Sequence, residues 1–114
     1  MDERRSCERY GVHFDAVVYE IGDDGTVERQ VLAVVHDMSK DGIGALVEHL
    51  IEIGRVVLVK IDFTPEPKWF VAENRHLYEE QEVGYHIGLK SLETPLTGPI
   101  AEELARLRRT AVST

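Results

Sequence analysis

The sequence predicts an all-β fold, a six-stranded antiparallel β-barrel followed by a C-terminal α-helix. Three observations carry this: apolar residues alternate in short runs from Val12 to Leu92, turn-forming residues separate the runs, and the period becomes helical only after Pro95. Alternation at every second residue marks a strand with one buried face, whereas recurrence at three and four marks a helix. With many short strands and little helix, closing the sheet on itself is the natural way to remove exposed edges.

The first strand is read from Val12, Phe14, Ala16 and Val18, continuing through Tyr19 and Ile21 to a turn at Gly22-Asp23-Asp24-Gly25. An Asp-Gly pair inside that turn signals a hairpin, with Val27 to Val35 as the return strand. Asp37-Met38-Ser39-Lys40-Asp41-Gly42 interrupts the pattern as a turn before Ile43 to Val47 resumes it. Gly54 breaks the chain, and Arg55 to Phe63 alternates through Val57, Val59 and Ile61. Pro65-Glu66-Pro67 stops this fourth strand, because proline cannot donate to a ladder. Trp69 to Tyr78 gives a fifth strand, Glu79 to Glu82 a solvated polar turn, and Tyr85, Ile87 and Leu89 a sixth strand. Beyond Pro95, Pro99 suits a first helical turn, and Ile100, Leu104 and Leu107 recur at helical spacing. Glu102 and Glu103 lie early and Arg106, Arg108 and Arg109 late, the order that complements a helix dipole.

At 114 residues the chain accommodates one domain. Its longest apolar run is five residues, Val31 to Val35, against the 18 or so of a membrane-spanning helix, and no apolar segment follows the charged N-terminus as in a secretory signal. One cysteine excludes an internal disulfide and a Cys-rich zinc site, so a reducing, cytoplasmic setting is expected. The net charge of −8 disfavours long nucleic acid, whose binding neutralises many phosphates. Residues 1–9 are nevertheless neutral, with Arg4, Arg5 and Arg9 balancing Asp2, Glu3 and Glu8, which leaves 10 basic against 18 acidic side chains elsewhere. Such a local arginine cluster can hold a small anion while the remaining surface repels a polyanion.

Enzymatic templates fail one by one. The five histidines, His13, His36, His49, His76 and His86, stand singly, with no His-x-x-x-His pair and no Cys-x-x-Cys. Neither a Gly-x-Ser-x-Gly elbow nor a Walker loop is present, and Gly42-Ile43-Gly44 lacks the rest of a dinucleotide fingerprint. No catalysis, metal or cofactor is expected.

Two segments remain. Arg5 and Arg9 form the chain's only Arg-x-x-x-Arg pair, preceded directly by Arg4. Guanidinium groups grip phosphate oxygens in bidentate fashion and stack on flat bases; alone, however, the segment reads first as a solvated tail with its arginines paired to Asp2, Glu3 and Glu8. In the second segment, the carboxylate of Asp37, the hydroxyl of Ser39 and the small Gly42 could present acceptors to a purine edge with close backbone approach, or form an ordinary Asx-turn.

Taken in this order, Arg4-Arg5-x-x-x-Arg9 followed one hairpin later by Asp37-x-Ser39-x-x-Gly42 resembles the paired signature of PilZ domains, bacterial receptors for cyclic di-GMP. The likeness extends over residues 4 to about 92, including Val31 to Val35 before the Asp, Gly42-Ile43-Gly44, the Gly54 break and Gly84-Tyr85-His86-Ile87-Gly88-Leu89. Cys7 and Glu8 are unusual choices in the spacer. The resemblance implies that Arg5 and Arg9 hold the phosphates and stack on guanine, that Asp37 and Ser39 contact a guanine and its surroundings, and that Gly42 is the glycine of the turn. It implies too that Arg4 accompanies binding of an intercalated cyclic di-GMP dimer. The expectation is a cyclic di-GMP sensor that signals to a protein partner; the alternative is a PilZ-like interaction module that binds no nucleotide. Residues 1–11, almost wholly polar, are expected to be a flexible arm that ligand orders, and residues 12–114 the barrel and helix.

Overall fold

The computed structural model describes residues 10–92 and 98–112. Six strands, β1 (Tyr10–Ile21), β2 (Val27–Met38), β3 (Gly42–Val47), β4 (Val56–Ile61), β5 (Lys68–Glu80) and β6 (Gly84–Ser91), precede one helix, α1 (Gly98–Val112). All neighbours pair antiparallel, and the sheet closes as a barrel in the order β1-β2-β3-β6-β5-β4.

Period-two alternation sets the interior. Val18 on β1, Val31 and Val35 on β2, Val47 on β3, Val57 and Val59 on β4 and Ile87 on β6 all point inward and are 3 % exposed or less. β-branched side chains dominate because they pack well on a pleated surface. At one end Ile51, from the loop between β3 and β4, is fully buried in the same cluster. Asn74 of β5 ties that loop down: its side-chain amide donates to the Ile51 carbonyl at 2.8 Å, and its backbone carbonyl accepts from Gly54 at 2.7 Å.

A second apolar cluster lies outside the barrel. Leu104 and Leu107 of α1 pack with Tyr19, Ile21, Leu58 and Val71, and Tyr19 stacks on Trp69 with ring centroids 5.9 Å apart. Covering this wall on both faces explains why Val57, Leu58 and Val59 are consecutively buried rather than alternating. Fully burying each leucine of the helix is worth about 1.5–3 kcal/mol.

The helix departs from the dipole arrangement expected of it. It begins at Gly98, so its first turn carries no acidic residue, although Arg109 does lie in the last turn. Glu103 acts instead as a clamp, accepting from the Val27 amide at 2.9 Å and from Nε and Nη2 of Arg106 at 2.9 and 2.8 Å. Those hydrogen bonds, Arg106 first and Val27 second, hold its carboxyl at about 2, well below its ordinary 4.5.

β4 is shorter than expected, Val56–Ile61 rather than Arg55 to Phe63, and three other strand boundaries shift in ways that shape the site. β1 starts at Tyr10 rather than Val12, because Tyr10 and Gly11 pair with Met38 and Asp37. Asp37 and Met38 consequently close β2 and are not part of the turn, which shrinks to Lys40-Asp41 between Ser39 and Gly42. Glu79 and Glu80 are not a solvated turn either: they extend β5 and pair with Tyr85 and Gly84. Glutamate is a poor strand former, but the ladder and a contact between Glu80 and His86 override propensity. Among the described residues no helix is long and apolar enough to cross a membrane.

Candidate functional site

The site is built on the outer wall of β2, β3, β6 and the end of β5. Its geometry begins with a β-bulge. Val35 pairs with Ala45 and Asp37 with Gly44, so β2 carries one extra residue, His36, between them. The extra residue resets the alternation, and His36 and Asp37 both lie on the outer wall while Val35 stays in the core.

Asp37 lies directly over Gly44. A Cβ added at Gly44 would fall 2.7 Å from one carboxylate oxygen and 2.8 Å from the other, so only glycine leaves the carboxylate its place. Gly44 pairs in turn with Gly88 on β6, and Gly88 lies beneath His76 of β5. The result is a floor of two opposed glycines with Asp37 on one side and His76 on the other.

A second row runs beside it. The Nδ1 of His36 is 3.3 Å from Asp37 Oδ2, its Nε2 is 3.4 Å from His86 Nδ1, and His86 Nε2 is 2.7 Å from Glu80 Oε1. The two imidazoles meet edge to face at 5.3 Å, and the exposed Tyr78 ring lies 5.8 Å from His86. Histidines that stand singly in the sequence thus form a connected chain in space. Flat rings and carboxylate acceptors on a smooth wall suit a planar heterocycle that carries N–H donors.

The turn completes the face. Ser39 and Gly42 exchange backbone hydrogen bonds at 2.9 and 3.4 Å, and Ser39 Oγ accepts from the Asp41 amide at 3.3 Å, which leaves its hydroxyl proton to donate elsewhere. Gly42 also has a packing reason to be small. Its Cβ would sit 2.4 Å from the carbonyl oxygen of Leu89, so its smallness lets β3 start against the β6 backbone.

The structure therefore brings Asp37, Ser39 and Gly42 together, whereas Arg4, Arg5 and Arg9 lie outside the described residues, as does Cys7. Sequence reasoning missed His36, Gly44, His86 and Gly88. A signal for two of them was present: strand alternation puts His86 and Gly88 on the face opposite Ile87 and Leu89. Among the described residues no group of three or more His, Cys, Asp or Glu is arranged to hold a metal ion.

No protein-family model and no curated protein matches the sequence. Solved structures do. The PilZ domain of YcgR from Escherichia coli, with c-di-GMP, superposes with a TM-score of 0.62 over 98% of this chain and 100% of that one, at 15% identity. The chain has the PilZ fold. YcgR from Escherichia coli in complex with c-di-GMP gives a TM-score of 0.63 at 17% identity, covering 96% of this chain and 48% of YcgR. The Bacillus subtilis inhibitor of motility MotI/DgrA gives 0.61 at 14% identity, covering 99% of this chain and 53% of that one. The PilZ-fold chain thus spans about half the length of these two proteins.

Proposed function

We propose that the chain is a cyclic di-GMP sensor that binds the dinucleotide on this outer wall and passes the signal to a protein partner by contact. The observation that carries the reading is the register of β1: Tyr10 pairs with Met38 and Gly11 with Asp37. Arg9 is bonded to Tyr10, so the Arg-x-x-x-Arg segment joins the barrel beside the strand end and turn that carry Asp37, Ser39 and Gly42. A chain spans at most about 3.3–3.6 Å per residue, which keeps Arg5 and Arg4 within roughly 20 Å of that junction.

Charge supports the same assignment. Among the described residues the turn contributes Lys40, and Lys90 lies across from Gly42; no arginine is part of the turn. Lysines are hydrated point charges that neither clamp phosphate in bidentate fashion nor stack on a base. Those tasks fall to Arg5 and Arg9, with Arg4 adding a third guanidinium, so that the cluster offsets three of the four phosphate charges of two stacked dinucleotides. Asp37 accepts from the guanine N–H edge, Ser39 donates its free hydroxyl proton, and Gly42 keeps the turn in place. Two of the superposed structures hold c-di-GMP, which agrees with this choice of ligand.

Isothermal titration of cyclic di-GMP into the parent chain and into Arg5→Ala and Arg9→Ala tests the proposal. Hydrogen bonds to charged groups are worth about 1.5–3 kcal/mol, so each substitution should weaken binding roughly tenfold or more. Absence of binding by the parent chain, or equal titration by the variants, would overturn it and leave an interaction module without nucleotide.

A further inference from the structure

The barrel carries a second surface feature, on the wall of β1, β2 and β3 that α1 does not cover. Val17, Leu32, Val34, Leu46 and Val83 line an open groove of about 520 Å³. Leu32 is 65% exposed and Val83 50%, so the groove leaves apolar surface in water that folding did not bury. Its margins are acidic: Asp15 and Asp62 lie on the β1 side, adjacent through a 3.0 Å backbone hydrogen bond, and Glu48 lies at the end of β3. Among the described residues neither Asp15 nor Asp62 forms a salt bridge, and the Glu48 carboxylate meets only its neighbour His49, at 3.6 Å. Lys60 on β4 pairs with Val17 but does not line the groove.

We infer that this groove docks a polypeptide segment, from outside residues 1–114, that presents aliphatic or aromatic side chains flanked by lysine or arginine. An apolar floor with a rim of one charge sign selects an apolar segment of the opposite sign, since charge complementarity steers the encounter and rejects like-charged competitors. A second copy of this chain fits poorly, because its net charge is −8 and a two-fold contact would set the carboxylates of one rim against those of the other. The groove also adjoins the nucleotide wall: Leu46 pairs with Val34 on one side and with His86 on the other. A ligand resting on His86 and a partner resting on Leu46 would therefore touch neighbouring side chains. The docking inference itself is independent of nucleotide binding.

The test uses the full chain and an array of peptides in which Leu, Ile and Phe are flanked by Lys and Arg, with the same peptides carrying Asp and Glu as controls. The expected result is binding of the basic set alone, with amide shifts mapping to Val17, Leu32, Val34 and Leu46. Leu32→Asp, at an exposed position, and Asp62→Lys should each weaken it tenfold or more while cyclic di-GMP titrates as in the parent. Equal binding of acidic and basic peptides, shifts elsewhere, or variants that bind like the parent would overturn the inference. Self-association that shifts the same residues would assign the groove to a second copy and refute it. Shifts of groove amides in the free chain on substituting Arg4, Arg5 and Arg9 with Ala would assign it to the chain's own N-terminus and refute it likewise.

Discussion

Gly42 and Gly44 lie two residues apart on one strand, yet replacing each by alanine should have opposite consequences. At Gly44 the new methyl group would meet the Asp37 carboxylate at 2.7–2.9 Å. That group ends a side chain and can rotate at the expense of its contact with His36, so the barrel should lose only about 1 kcal/mol or less. Ordinary contact needs about 3.5 Å or more, so the carboxylate must move by most of an ångström from the place where it would accept from guanine. Losing a charge-assisted hydrogen bond costs about 1.5–3 kcal/mol, which is roughly tenfold to a hundredfold in affinity for cyclic di-GMP. At Gly42 the methyl group would meet the Leu89 carbonyl oxygen at 2.4 Å, and a backbone atom in a paired strand cannot step aside. Overpacking of this kind costs about 1–3 kcal/mol, several degrees of thermal midpoint in a domain of this size. Thermal melts and calorimetric titration of both variants separate the two effects. A Gly44→Ala protein that melts as early as Gly42→Ala, or that binds nucleotide like the parent, would refute the reasoning.

The clamp on the helix should give a pH signature. Because the folded carboxyl of Glu103 sits at about 2 against an ordinary 4.5, its contribution is fully present above 4.5 and is lost as pH falls through the interval down to 2. Melting midpoints of Glu103→Gln and the parent should therefore differ at neutral pH and converge at about pH 2; a constant difference would mean that the carboxylate does not clamp the helix. Asn74→Ala strands the Ile51 carbonyl, so chemical denaturation should show a loss of about 1–3 kcal/mol, and an unchanged midpoint would mean that the loop is held otherwise. Two cyclic di-GMP molecules per chain are expected by native mass spectrometry, falling to one in Arg4→Leu; one molecule in both would exclude the stacked dimer. Saturating cyclic di-GMP should slow tryptic cleavage after Arg4, Arg5 and Arg9, and equal rates with and without nucleotide would separate those arginines from the ligand.

Alternation and turn chemistry alone determined the six strands, their order along the chain and the apolar face of the helix. Both signals are local: Val31, Ala33 and Val35 announce a buried face, and Asp24 with Gly25 announces a hairpin, whatever the rest of the chain does. That Asp37, Ser39 and Gly42 belong to one strand end and turn was also legible, through spacing that resembles a known signature. Tertiary structure decided the remainder, because it depends on cross-strand partners. The bulge at His36 arises from a mismatch in length between β2 and β3, and only their pairing turns His36 and Asp37 to one side. Gly44 and Gly88 become a floor only because the pairing of β3 with β6, strands far apart in sequence, brings them opposite each other. Glu79 and Glu80 have the composition of a turn and form a strand because β6 offers them a ladder. Glu103 has the position of a dipole charge in the sequence and the role of a clamp in the fold, since what a carboxylate does depends on the donors that folding places within 3 Å of it.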